Sequence, residues 1–260
     1  MRKTSQEHIN FSNNVIIFNN SIHQIGYIAR TSTQGKELDM VNQFINYLID
    51  SYSKLKTKKA AIFIEPQIDT GYPDIVVVEF YSLPSLPWNN TRLSLTNTDF
   101  KILFFIQMRK NLSVVQISEL LGYPIETIKK SIEKLALSGL VHVSAKQSHV
   151  RNIRLKDYYR INKIIAIEAK IDKWHEAMRQ ANNNIWFSTE SYILLNKESC
   201  SSTITEHCRH NGLGVILING TIKTVLKSDK RKLPVSYASF QFNEWILRWL
   251  HMEENNNEHC

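Results

Sequence analysis

Two short stretches of this chain set ionisable residues among strand-forming neighbours in a way that could support chemistry on a phosphate. In residues 71–79, GYPDIVVVE, Asp74 stands at the start of an apolar, β-branched run. In residues 164–171, IIAIEAKI, Glu168 and Lys170 lie two apart in an equally apolar setting. Side chains alternate along a strand, so Glu168 and Lys170 share one face and Ala169 points into the core. A carboxylate or ammonium on a buried strand is costly unless it is paired or metal-bound. Two carboxylates on adjacent strands offer the hard oxygen ligands that Mg²⁺ or Mn²⁺ prefers. The metal would lower the pKa of a bound water and stabilise charge on phosphate, while an ammonium orients the water or the pentacoordinate oxygens. The plain alternative is that Asp74 only closes the DTGYPD turn, and that Glu168 and Lys170 form a solvated strand face.

The surrounding pattern supplies elements to hold these residues. Residues 1–33 are polar and Asn-rich around the apolar patch Val15 to Phe18, which predicts a loose lead-in with one strand. From Gly35 to Tyr52, Leu38, Val41, Phe44, Ile45, Leu48 and Ile49 recur at helical spacing. Two apolar runs flanking DTGYP then read as strand, turn, strand. SLPSLPWNN marks a boundary. After Asp157 the order is strand (the IEAK run), helix, strand, helix and a strand pair. An amphipathic helix, QFNEWILRWLHM, follows, and the tail is expected to be frayed.

Between these parts the sequence changes style. Three helical stretches, with Thr96 or Asn97 as first N-cap and Gly139 after the third, precede an alternating segment that predicts a hairpin. That is the plan of a winged helix-turn-helix, whose third helix enters the major groove. Leu112, Val115, Ile117, Leu120 and Leu121 are expected in its core, with Gly122 at the turn. Thr127, Lys129, Lys130 and Lys134 on the third helix, and His142, Lys146, His149 and Arg151 on the wing, are the candidate DNA contacts. Glu126 and Glu133 on the same helix oppose attraction to phosphates, so no sequence-specific reading is inferred. The stretch VVQISELLGYPIETIKKSIEKLALSGLVHV resembles the winged helix of bacterial transcription regulators.

Composition agrees with a polyanionic partner: 32 Lys and Arg against 24 Asp and Glu give a formal charge of +8. The three cysteines, Cys200, Cys208 and Cys260, show no CxxC spacing and read as reduced thiols, not a zinc site. No signal peptide, bilayer-spanning run, internal repeat or glycine-rich phosphate loop is visible, so a soluble, cytoplasmic protein without a membrane partner is expected.

Pro73-Asp74 and Glu168-Ala169-Lys170 together resemble the two motif elements of the PD-(D/E)XK nuclease superfamily, and matching segments cover most of residues 34–226. The resemblance implies an α/β fold: a restriction-endonuclease-like mixed sheet flanked by helices and interrupted by a small α+β winged helix. It divides the chain into residues 1–90 and 158–252 of a nuclease-like domain, an insertion at 91–157 and a disordered tail at 253–260. It implies that Asp74, Glu168 and the Ala169 carbonyl bind Mg²⁺ or Mn²⁺, and that Lys170 positions the attacking water. Glu37, in the preceding helix, matches a further acidic position that would hold a second metal or its water. Gln180, in the following helix, matches a supporting glutamine. Glu65 and Glu79 are lesser acidic alternatives, and His175 reads as a surface or core-edge residue. The gap from Asp74 to Glu168 is long for the superfamily, which the insertion explains.

The expected function is metal-dependent DNA endonuclease activity on double-stranded DNA, in restriction, phage defence, mobile-element processing or repair. The alternative is a non-catalytic DNA-binding transcriptional regulator on a nuclease-like scaffold. RNA is a weaker option, since nothing resembles an RNA-binding module. A double-strand break needs two active sites, so a homodimer or larger assembly is expected.

Overall fold

The computed structural model describes residues 14–31, 34–55, 57–81, 87–109, 112–144 and 149–258. Its elements are β1 (Val15–Phe18), α1 (Lys36–Ser53), β2 (Lys59–Ile64), β3 (Ile75–Phe80), α2 (Asn97–Met108), β4 (Leu112–Ser113), α3 (Val114–Leu121) and α4 (Ile125–Leu137). They continue as β5 (Val141–Val143), β6 (His149–Asn152), β7 (Ile161–Lys170), α5 (Trp174–Asn183), β8 (Glu190–Leu195), α6 (Ser202–His210), β9 (Gly214–Asn219), β10 (Thr221–Leu226) and α7 (Tyr237–Glu258). The chain forms two compact units. The first contains 1–22, 27–81 and 162–232; the second contains 23–26, 82–161 and 233–260.

The first unit is a mixed α/β layer built on a seven-stranded sheet of order β1-β2-β3-β7-β8-β9-β10. β2 and β3 are antiparallel, whereas β7, β8 and β9 run parallel and β10 turns back on β9. Strand alternation sorts side chains onto two apolar faces. Ile62, Ile75, Val77, Ile167, Ala169 and Leu194 pack with Met40, Val41, Phe44, Ile45 and Leu48 of α1. On the opposite face Ile193, Leu195, Val215 and Leu217 meet Ala177 and Ala181 of α5 and Ile204 and Cys208 of α6. Full burial of each large apolar side chain contributes roughly 1.5–3 kcal/mol, which fixes the helices against the strands. The central strands are buried on both faces, so they read as continuous apolar runs instead of alternating ones.

The second unit holds α2, α3, α4 and a three-stranded sheet of order β4-β6-β5. A capping box between Thr96 and Asp99 starts α2, and another between Ser113 and Gln116 starts α3. Gly122 ends α3 with φ 68°, a left-handed conformation that suits glycine. Ile117 is fully buried and Leu112 nearly so, but Val115 and Leu120 are exposed, contrary to expectation. With 8 residues α3 makes barely two turns, and Ile117 is its one buried residue.

The C-terminus departs further from the sequence reading. Residues 233–260 belong with the second unit, not with the sheet. The helix α7 continues to Glu258 through the stretch expected to be a disordered tail. Its docking explains the assignment: Asn243 accepts from the Arg160 amide at 2.8 Å, and Arg92 donates to Glu244. No helix among the described residues is long and apolar enough to cross a membrane.

Candidate functional site

The neighbouring strands β3 and β7 bring Asp74, Glu168, Ala169 and Lys170 to one locality of the first unit. Asp74 immediately precedes β3, where the 71–74 segment feeds into the strand, and its Oδ2 accepts a hydrogen bond from the Ala169 amide at 2.8 Å. Both carboxylates are nearly inaccessible, Asp74 at 8% and Glu168 at 3% exposure. Asn184, just beyond α5, donates through Nδ2 to Glu168 Oε1 at 2.6 Å. The Lys170 side chain turns from the strand towards α1. Its Nζ donates to Glu37 Oε1 at 2.6 Å and to the Ala169 carbonyl at 3.0 Å, and lies 4.0 Å from Asp74 Oδ2. Glu168 and Lys170 therefore arise from one strand face, but their tips serve different partners.

Electrostatics follow from this crowding. Burial pushes the Glu168 carboxyl up to about 8, and the neighbouring Asp74 charge adds to the rise despite the Asn184 hydrogen bond. Burial likewise raises Asp74, although the Ala169 amide and the Lys170 charge pull the other way. For Lys170, burial alone would lower the ammonium pKa. The Glu37 hydrogen bond and the charges of Asp74, Glu37 and Glu168 outweigh it, so the group is held above its ordinary value. Lys170 thus stands as a hydrogen-bond donor to Glu37 and the Ala169 carbonyl.

Among the described residues no three His, Cys, Asp or Glu side chains gather about one point. The local donor set still suits a hard divalent cation, because Mg²⁺ commonly uses one or two carboxylates and keeps several waters. The two buried carboxylates have the Lys170 ammonium as their neighbouring cation, 4.0 Å from Asp74, and the Ala169 carbonyl, engaged once by Lys170, retains a second lone pair.

Two hollows border the carboxylates. One, of about 290 Å³, is lined by Tyr72, Glu168, Arg179, Gln180, Asn184 and Arg30, among others. A smaller one, of about 40 Å³, is lined by Arg30, Glu37, Leu38, Val41, Glu65 and Asp74. Gln180 faces the larger hollow with a buried Oε1 that accepts no hydrogen bond among the described residues. Glu65 lies beside Asp74, its amide donating to the Asp74 carbonyl at 3.0 Å. Glu79, by contrast, is committed elsewhere, accepting from Tyr52 at 2.8 Å and Lys58 at 3.1 Å. His175 is exposed and stacks on Trp174.

Sequence reasoning missed Asn184 and Arg30. Asn184 lies in the polar run 182–184, which offers no signal about which asparagine turns inward. Arg30 precedes α1 in a segment without periodicity, so only the fold carries it to the site.

The residues expected to contact DNA lie in the second unit. Lys129 and Lys130 are exposed on α4, and Thr127 and Lys134 are half-buried. Lys129 pairs with Glu126 at 2.8 Å, and Lys134 lies 3.7 Å from Asp99. The flank of α4 forms an apolar groove with Val114, Ile132, Ala136, Leu137 and Val143 in its lining. His142, His149 and Arg151 are exposed on β5 and β6, and Lys146 lies outside the described residues. The free cysteines Cys200 and Cys208 are far apart in burial, the first half-buried and the second buried. Comparison with known protein families, curated proteins and solved structures finds no match to this chain, so the chemistry of the site stands on these residues themselves.

Proposed function

We propose that this protein is a metal-dependent DNA endonuclease of the PD-(D/E)XK type, with a winged helix carried between β3 and β7. The observation that carries the reading is the convergence of Asp74, Glu168 and the Lys170 ammonium across neighbouring strands, with the Ala169 amide and carbonyl between them. Asp74, Glu168 and the Ala169 carbonyl would hold Mg²⁺ or Mn²⁺. Such an ion, when bound, activates water and offsets charge on a phosphate.

The chain's own residues have separable tasks. Asn184 holds one oxygen of Glu168, and the Glu168 carboxyl lies against that of Asp74. The Ala169 amide orients Asp74. Glu37 keeps the Lys170 ammonium charged and aimed, so that it can orient the attacking water or meet the oxygen that gains charge. Gln180 offers its unpartnered carbonyl oxygen to the larger hollow. Duplex DNA would be positioned by the exposed basic residues of the second unit, with Lys130 on the helix and Arg151 on the hairpin exposed and outside any ion pair among the described residues. The paired lysines Lys129 and Lys134 contribute less, since each already faces a carboxylate.

The test is cleavage of supercoiled plasmid with Mg²⁺, Mn²⁺ or EDTA by wild type, Asp74→Ala and Lys170→Ala. Metal-dependent nicking that falls by at least about 100-fold in both variants is expected, the scale of losing a group that stabilises transition-state charge. No cleavage by wild type, with duplex binding retained in a mobility shift, would move the assignment to a non-catalytic DNA-binding regulator.

A further inference from the structure

Arg30 stands where the two hollows meet, lining the one that contains Glu168 and the one that contains Asp74 and Glu37. Its position is built, not incidental. The Arg30 amide donates to the Glu65 carbonyl at 3.0 Å, and its Nε pairs with the Glu65 carboxylate. Its guanidinium carbon lies 5.5 Å from the centre of the Tyr72 ring. Glu65 is buried and adopts φ 45°, the left-handed region that costs a non-glycine residue about 1–2 kcal/mol. Backbone strain of this kind persists where the surroundings over-determine it, often at functional sites.

The guanidinium itself is 54% exposed on its side chain. Only its Nε edge is used, and Nη1 and Nη2 make no hydrogen bond to the described residues. A planar fork clamped on one edge and open on the other suits a phosphate, which takes paired N–H donors. Arg179, exposed on α5, lines the same larger hollow and forms no ion pair or hydrogen bond among the described residues. The cleft thus has carboxylates at its floor and two available guanidiniums at its rim.

We propose that Arg30 and Arg179 grip a phosphate of the nucleic-acid backbone beside the Asp74 and Glu168 carboxylates, and that Glu65 is a positioning residue that aims Arg30. The inference rests on the nucleic-acid reading of the site, and it adds how the polyanion is held in the first unit. Glu65 removes no donor from the open edge of Arg30, so it orients the group without occupying it.

The experiment measures binding of a fluorescein-labelled 20-base-pair duplex by anisotropy over a range of salt concentrations, with Ca²⁺ replacing Mg²⁺. Arg30→Ala is expected to weaken binding about tenfold or more, the loss of a charge-assisted contact. It should also reduce the slope of log affinity against log salt by about 0.9, as for one phosphate contact. Arg179→Ala should act in the same direction. Arg30→Lys should restore the slope while recovering only part of the affinity, because the fork is lost. Glu65→Ala should lower affinity several-fold with the slope unchanged, whereas Glu65→Gln, which keeps an acceptor for Nε, should bind as tightly as wild type. Thermal melts exclude misfolding, and if Arg30→Ala does not fold, Arg30→Lys and Arg179→Ala carry the test. Unchanged affinity and slope in the arginine variants, or no duplex binding by wild type, would overturn the proposal. Arginine-dependent binding without plasmid cleavage would instead sink the nuclease reading alone, and cleavage with arginine-independent binding would sink this inference alone.

Discussion

Glu168 illustrates how a single side chain can be both a cost and a device. Its carboxyl sits beside another buried acid and accepts a hydrogen bond from Asn184, and burial raises its pKa from 4.5 to about 8. A folded-state pKa above the unfolded one gives stability that is fully present below pH ~4.5 and is lost as pH rises towards ~8. Glu168→Gln cannot ionise, so the metal-free variant should melt at a higher temperature than wild type at pH 8 and at about the same temperature at pH 5. Melting curves in EDTA at both values check this, and a difference that does not grow with pH counts against the buried-acid account. Mg²⁺ or Mn²⁺ should narrow the difference at pH 8 by stabilising the wild type. The sequence showed Glu168, Asp74 and Lys170 because acids and a lysine in apolar strands are conspicuous. It could not show that Lys170 swings to Glu37 and Glu168 to Asn184, since alternation fixes the face of a strand and not the partner of a flexible tip.

At the scale of elements, the loop before β3 matters as much as the strand. Ile68 and Gly71 exchange both backbone hydrogen bonds at 3.0 Å, closing a tight turn that delivers Tyr72, Pro73 and Asp74. Gly71 has φ 128° with open space about it, so the backbone conformation and not packing demands glycine. Gly71→Ala should cost about 1 kcal/mol or more, and because it misplaces Asp74 it should lower plasmid cleavage further than that stability loss explains. Cleavage rates and urea unfolding curves measured together decide this; a variant with normal cleavage would show that the turn does not set the site. DTGYP is legible as a turn from its residue types, and the helix and strand periods around it are equally legible. The exposure of Val115 and Leu120 on α3 was not, because a pattern identifies an apolar residue but not whether a partner element arrives to cover it.

For the molecule as a whole, the second unit gathers three separate stretches of chain around buried charge. Arg92, Glu244 and Arg248 are exposed by at most 4%. Arg92 donates to Glu244 through Nε at 3.0 Å, and Arg248 donates to the carbonyls of Ile25 and Leu95, each at 3.0 Å. Removing one member of a buried pair strands the other, at a cost of about 3–5 kcal/mol. Glu244→Ala should therefore lower the melting temperature and speed amide exchange in α2 and α7. Unchanged exchange in those helices would mean that the pair does not hold the unit together. This network explains why the C-terminal helix belongs with residues 82–161, although it follows the sheet in sequence.

The order of residues along the chain is enough to define the local elements, since helical and strand periods, capping residues and turn glycines act over a few residues. It also marked the acids and the lysine, because charge in an apolar strand conflicts with its surroundings. That Arg30 and Asn184 lie beside those residues, and that α7 belongs with the second unit, follows from the folded chain alone. Those outcomes depend on contacts between residues far apart in the chain, Arg30 with Glu65 and Arg92 with Glu244. No local pattern encodes such pairs, because each is chosen by which elements the packed core brings together.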